Sequence, residues 1–274
     1  MDGAGRTLVM GDDGSEAADG AWLWISEHDW SGWRIEVLSV DTAALDQGPI
    51  SSENAHPHPW QPPSPRVLLR DRGQIEVVHL TADGDPRVVI NRLDSAGLLV
   101  IGHRGRGALK ALTLGSTADW LLHRPPAPLA IIRSARPTRR VLLCVDGSAD
   151  AREATRVLAA MPWIGGATVV VLSVDDGRIR PHGAIQEAQA VLQAVGAEPE
   201  PRIRESLGHS VSFNVRSTVL ELLEGEPVDL VVLGARGLGL GHHILRGSTA
   251  AAVAHHAPCS VLVARADDAD DERP

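Results

Sequence analysis

"VVLGARGLGLGHHILRGSTAAAVAHH", residues 231–256, sets Gly234, Gly237, Gly239, Gly241 and Gly247 between an apolar run and an alanine-rich stretch. The apolar run reads as a buried strand, and Ser248 with the alanines opens a helix. Bare backbone between them lets the chain turn with positive φ and aim several N–H groups at one point. Behind a parallel strand, the following helix adds partial positive charge there, a setting that suits a phosphate. A glycine loop with a serine N-cap that binds nothing is the other reading.

The stretch has a twin. "LLVIGHRGRGALKALTLGSTADWLLHRPPAPLAIIR" (98–133) aligns without gaps on "LVVLGARGLGLGHHILRGSTAAAVAHHAPCSVLVAR" (230–265). Gly102 falls on Gly234, Arg104 on Arg236, Gly105 on Gly237, Gly107 on Gly239, Gly115 on Gly247, Ser116 on Ser248 and Thr117 on Thr249. Earlier, "TLVMGDDGSEA" (7–17) mirrors "RVLLCVDGSAD" (140–150), and "IEVLSVD" (35–41) mirrors "VVVLSVD" (169–175). The chain is a duplication with its joint near 134–139, which places one domain at 1–137 and a second at 138–274.

Apolar runs alternate with amphipathic segments in each copy, which predicts an α/β domain with a parallel sheet covered on both faces. In the second copy the strands are expected near 139–146, 167–174, 200–207, 228–235 and 259–265. The first copy departs between its second and third strands, where "AHPHPWQPPSPR" (55–66) carries prolines that cannot continue a helix. A shortened helix or a loop is expected there.

At 274 residues the chain is long enough for two cores, and 43% hydrophobic with 22% charged residues places it among globular proteins. A net charge of −9 argues against nucleic-acid or membrane-surface binding, part of it lying in the acidic tail 267–272. Cys144 and Cys259 sit in strand-like contexts and read as buried, inert thiols in a reducing compartment. With no spanning segment or signal peptide, a cytoplasmic protein is expected.

Two familiar phosphate motifs fail. A Walker A loop needs a lysine after its last glycine, and Lys110 is the chain's single lysine. The dinucleotide fingerprint follows the first strand of its unit, whereas these glycines follow the fourth.

The spacing Gly-x-x-Gly, nine residues, Gly-Ser at 102/105/115/116 and again at 234/237/247/248 closely resembles the universal stress protein family in its tandem form. An Asp-Gly-Ser after strand one and a Val-Asp after strand two extend the resemblance over nearly the whole chain. It implies a Rossmann-like, adenine nucleotide alpha hydrolase-like fold: two tandem domains, each a five-stranded parallel sheet of order 3-2-1-4-5 with helices on both faces. In the branch that keeps the glycine motif it also implies ATP binding, with Mg2+ as counter-ion. The resemblance assigns Asp13 and Asp146 to the adenosine, and Val40 and Val174 to the adenine by backbone. It assigns the two loops to the phosphates: Gly102, Gly105, Gly107, Gly115, Ser116 and Thr117, then Gly234, Gly237, Gly239, Gly247, Ser248 and Thr249. The fifth strands of the two copies would pair antiparallel in an intramolecular pseudo-dimer, and a homodimer of tandem chains is a further assembly to test.

Departures between the copies matter. Gly11 precedes Asp13 where Cys144 precedes Asp146, which leaves more room for a ligand in the first copy. Arg104 and Arg236 share one loop position, open to a phosphate or to solvent. The first loop adds Arg106 and Lys110 where the second has Leu238 and His242, so unequal sites are expected, the first copy the stronger. His242-His243 and His255-His256 lack the spacing of a metal site and read as surface or packing residues. Trp22, Trp24, Trp30 and Trp33 read as core or interface packing. With no catalytic-base motif and no P-loop lysine, the sequence favours a nucleotide-binding regulator in a stress response over an enzyme. A slow ATPase or self-phosphorylating protein, and a nucleotide-free scaffold, are the alternatives.

Overall fold

In the first half, β1 (Arg6–Gly11), β2 (Trp33–Asp41), β3 (Val77–Asp83), β4 (Leu98–Gly102) and β5 (Leu129–Ile132) alternate with α1 (Glu16–Glu27), α2 (Pro86–Ile90) and α3 (Ser116–His123). The second half holds β6 (Arg140–Cys144), β7 (Thr168–Asp175), β8 (Glu200–Glu205), β9 (Leu230–Gly234) and β10 (Ser260–Ala264). Its helices are α4 (Ala149–Ala159), α5 (Pro181–Gln193), α6 (Val211–Gly225) and α7 (Ser248–His256). The structure, a computed structural model, describes residues 6–42, 64, 66, 75–93, 96–105, 113–123, 125–175, 177, 180–205, 211–237 and 248–266. The expectation of a shortened helix between the second and third strands of the first half falls on residues outside this set, as does the acidic tail.

One ten-stranded sheet runs β3-β2-β1-β4-β5-β10-β9-β6-β7-β8. Each half has the order 3-2-1-4-5 with parallel neighbours, and the halves meet where β5 and β10 pair antiparallel, Ile131 opposite Val261 and Leu129 opposite Val263. Pairing these strands hides two buried edges that would otherwise template association. The outer edge strand β8 tolerates Pro201 because only one of its sides must donate to a ladder.

Period-two alternation sorts the strands' side chains into two layers. Leu8, Met10, Val100, Val141, Leu143 and Val232 face the layer of α1, α4 and α5. Val9, Leu99, Leu142 and Val231 face the layer of α2, α3, α6 and α7. The helices that follow β1 and β4 therefore leave on opposite faces, as do those that follow β6 and β9. A crevice opens at each such reversal, at the carboxyl ends of the strands.

The tryptophans join the halves. Trp24 and Trp30 are buried, and Trp24 meets Trp163 of the second half edge-on with ring centroids 6.1 Å apart. The Trp24 indole N–H donates to Thr138 Oγ1 at 2.9 Å, and the Thr138 backbone N–H donates to His28 Nε2 at 2.9 Å. His28 Nδ1 lies 2.7 Å from the Trp24 carbonyl, which can only accept, so the proton sits on Nδ1. Thr138→Val removes the acceptor and strands a buried N–H. Urea unfolding is expected to show a loss of about 1–3 kcal/mol, and an unchanged midpoint would remove this contact from the interface. On the other face, His255 Nε2 meets Asp119 Oδ1 at 2.9 Å and its Nδ1 meets Thr113 Oγ1 at 3.1 Å, a packing role across the halves.

Candidate functional site

After the first strand of each half, Asp-Gly-Ser makes the same turn. Gly14 and Gly147 take φ of 70° and 83°, the left-handed region that glycine enters without cost. Ser15 N–H donates to Asp13 Oδ1 and Ser148 N–H to Asp146 Oδ1, both at 3.0 Å. Each serine hydroxyl then acts twice. It accepts the Ala18 or Ala151 N–H at 3.2 Å, capping α1 or α4, and it donates to the carbonyl of Arg104 at 3.2 Å or Arg236 at 3.3 Å. The turn after strand one is thereby tied to the loop after strand four.

That tie brings the predicted acid onto the predicted glycine. A Cβ on Gly105 would lie 2.6 Å from Asp13 Oδ2, and one on Gly237 would lie 2.6 Å from Asp146 Oδ2. The same geometry arises twice, from sequences that differ on either side. The other glycines serve different ends. A Cβ on Gly102 would lie 2.6 Å from the Ala17 backbone, and one on Gly234 would lie 2.8 Å from the backbone of Asp150 and Ala151. These two let the first turns of α1 and α4 lie against the strand ends. Gly115 folds the loop back on itself, its N–H donating to the His103 carbonyl at 2.8 Å and its Cα facing Arg104 and Gly105.

Val40 and Val174 stand at the ends of β2 and β7, half-buried and buried respectively. Ser116, exposed, opens α3 with Thr117 half-buried beside it, and Thr249 is half-buried on the first turn of α7. Ser248 begins α7. Arg106, Gly107, Lys110, Leu238, Gly239, His242, His243 and Gly247 lie outside the described residues. The space left by Gly11 is taken by Ile101, whose Cγ2 lies 3.1 Å from where a Cβ would stand. Gly11 thus fits an apolar neighbour under α2 and does not widen the crevice.

Arg236 turns inward. Its Nε and Nη2 donate to the Asp150 carboxylate at 3.0 and 2.9 Å, and Asp150 is buried. In the first half a different arginine is clasped. Arg66 donates to buried Asp12 through Nε at 2.7 Å and Nη2 at 2.9 Å, and to Asp19 through Nη1 at 2.6 Å. The hydrogen bond to Asp12 is foremost in raising the Arg66 pKa still further. Val145 and Arg152 occupy the corresponding places in the second half, where they line a cleft of about 130 Å³ between α4 and α5. Asp12, Arg66 and Asp150 were not candidates from sequence; the signal for Asp150 was its mismatch with Ala17 inside an otherwise repeated turn.

Burial pushes the Cys144 thiol up to about 12 and the Cys259 thiol up to about 11, which makes both poor nucleophiles. Burial, then the charge of Arg133, lowers the His103 pKa. Among the described residues, no group of three or more His, Cys, Asp or Glu is arranged to hold a metal ion, and no helix is long and apolar enough to cross a membrane.

A profile of the Universal stress protein family matches residues 5–133 and again residues 137–265. A universal stress protein of Mycolicibacterium smegmatis is 28% identical over 284 residues, covering 94% of this chain and 96% of its own. Another, from Mycobacterium tuberculosis, is 25% identical over 293 residues with the same coverage. Among solved structures, a universal stress protein from Archaeoglobus fulgidus superposes with a TM-score of 0.64 at 21% identity, covering 96% of this chain and 99% of its own. That likeness speaks for the fold alone.

Proposed function

The chain belongs to the universal stress protein family, with two of its domains in tandem, and we propose that it is an ATP-binding regulatory protein. In this reading the nucleotide lies in the crevice between the first and fourth strands of a half. The observation that carries it is the meeting of Asp13 with Gly105, repeated by Asp146 with Gly237, at a distance no side chain on the loop would allow. A carboxylate there accepts from sugar hydroxyls or from the exocyclic amine of a base. It repels phosphate, so the triphosphate belongs with the donors of the loop, the cationic Arg104 and the N-terminus of α3 at Ser116. Mg2+ enters as the counter-ion of that triphosphate.

Bound ATP supplies a multidentate anion that bridges loops from different strands and so favours one conformation or assembly of the chain. Binding rather than turnover is the proposed role, since nothing in the Asp-Gly-Ser turn positions an attacking group. Calorimetry with ATP, AMP and GTP tests the reading. ATP is expected to give heat and, at a hundred times its Kd, about 2.7 kcal/mol of stabilisation. No heat and no thermal shift with millimolar ATP would overturn it. Phosphate release over hours would replace it with a slow ATPase.

A further inference from the structure

The two halves carry the same loop arginine and treat it differently. In the second half Asp150 accepts three bonds from one residue: Arg236 N–H at 2.8 Å, Nε at 3.0 Å and Nη2 at 2.9 Å. The Ala266 backbone N–H, at 3.0 Å, completes its shell. Both the backbone donor and the guanidinium at this loop position are thus engaged by a carboxylate of the protein itself.

In the first half the same place belongs to Ala17. The equivalence is structural as well as sequential, because Ala17 lies against Gly102 as Asp150 lies against Gly234. Without that carboxylate, neither the Arg104 backbone N–H nor its guanidinium has an acceptor among the described residues, and its Nε is buried. Arg133 stands close enough for the two positive charges to be felt, and its bonds go to neutral oxygens, the carbonyls of Thr113 and Ala254 and the Ser260 hydroxyl. A half-buried guanidinium without an anion gains from an arriving one; a guanidinium already paired with a buried carboxylate must break that pair first.

We infer that Arg104, through its backbone N–H and guanidinium, holds the phosphate of the ligand in the first half, and that Asp150 has taken over this function against Arg236 in the second. The chain then binds one phosphate-bearing ligand tightly, not two. This rests on the nucleotide reading above and gives it a location.

The test is ATP titration by calorimetry, with thermal unfolding in parallel, on the parent, Arg104→Gln and Ala17→Asp. The parent is expected to show one tight site. Arg104→Gln is expected to weaken it about tenfold or more. Ala17→Asp installs in the first half the carboxylate that the second half already accommodates. It is expected to weaken ATP by a similar factor while the unfolding temperature holds or rises, a pairing that simple damage would not produce. Two equal tight sites in the parent, undiminished affinity in Arg104→Gln, or undiminished affinity in folded Ala17→Asp would each overturn the inference. A parent that binds no ATP would overturn the nucleotide reading, and this one with it.

Discussion

Replacing Asp150 with alanine is expected to lower the stability of the fold by about 3–5 kcal/mol, because it removes a buried carboxylate that holds an arginine and two backbone donors. Asp150 is 2% exposed and accepts four bonds, from Arg236 N, Nε and Nη2 and from Ala266 N. Three segments meet on it: the first turn of α4, the loop after β9 and the residue beyond the end of β10. Removing the carboxylate leaves the Arg236 and Ala266 backbone donors without their acceptor and takes away a buried partner of the Arg236 guanidinium, in a place where α4 is pressed against Gly234. At roughly 2–4 °C per kcal/mol for a chain of this size, the midpoint should fall by about 10 °C. Asp150→Asn, which keeps one acceptor and the shape, should lose less. Urea unfolding of both variants checks this. A loss under about 1 kcal/mol for Asp150→Ala would mean that the carboxylate is replaceable by solvent.

Two glycines of one motif should part company on substitution. Gly102→Ala would drive a methyl to 2.6 Å from the Ala17 carbonyl carbon and oxygen, and helix backbone cannot rotate away. The whole first turn of α1 must shift, carrying Asp13 and Ser15 with it. A loss of about 3 kcal/mol or more is expected, at the upper end for overpacking. Gly105→Ala meets a side-chain oxygen, Asp13 Oδ2, also at 2.6 Å. A carboxylate can swing aside about χ1, so stability should change by about 1 kcal/mol or less. What moves is the acid itself, and with it the acceptor proposed for the adenosine. ATP affinity should fall at that half while unfolding hardly changes. Gly234→Ala and Gly237→Ala should repeat the contrast in stability in the second half, where Gly234 faces helix backbone and Gly237 the Asp146 carboxylate. Measuring unfolding and ATP titration together decides the matter; equal stability losses at 102 and 105 would show that the two glycines do one job.

The duplication and the alternation of strands with helices were legible in the sequence because each rests on local regularity, whereas the strand order came from the family resemblance. Strands such as 140–144 and 230–234 are short apolar runs buried on both faces, and helices such as 149–159 start at a serine that caps them. The antiparallel pairing of 129–132 with 260–264 was what the resemblance implied, and it covers two like edges. The candidate positions Asp13, Gly105 and Ser116 recur with their partners at fixed spacing in the sequence, and the fold sets Asp13 on Gly105 and Asp146 on Gly237. The tryptophans of α1 read correctly as packing, because so much aromatic surface on one short helix must be buried.

Which partner each polar group takes was decided by the tertiary structure. Asp150 sits on a first helical turn, where a carboxylate complements the helix dipole, yet it also holds Arg236, 86 residues away. Arg66 lies in a proline-rich stretch with no periodicity, and only the folded chain sets it on Asp12. Gly102 and Gly105 look alike as letters, while one faces helix backbone and the other a carboxylate. Periodicity reports how often a position returns to the core, a property of the nearby chain. A hydrogen bond depends on ångström distances between groups that the sequence holds far apart, so it exists only once the sheet has brought the strand ends together.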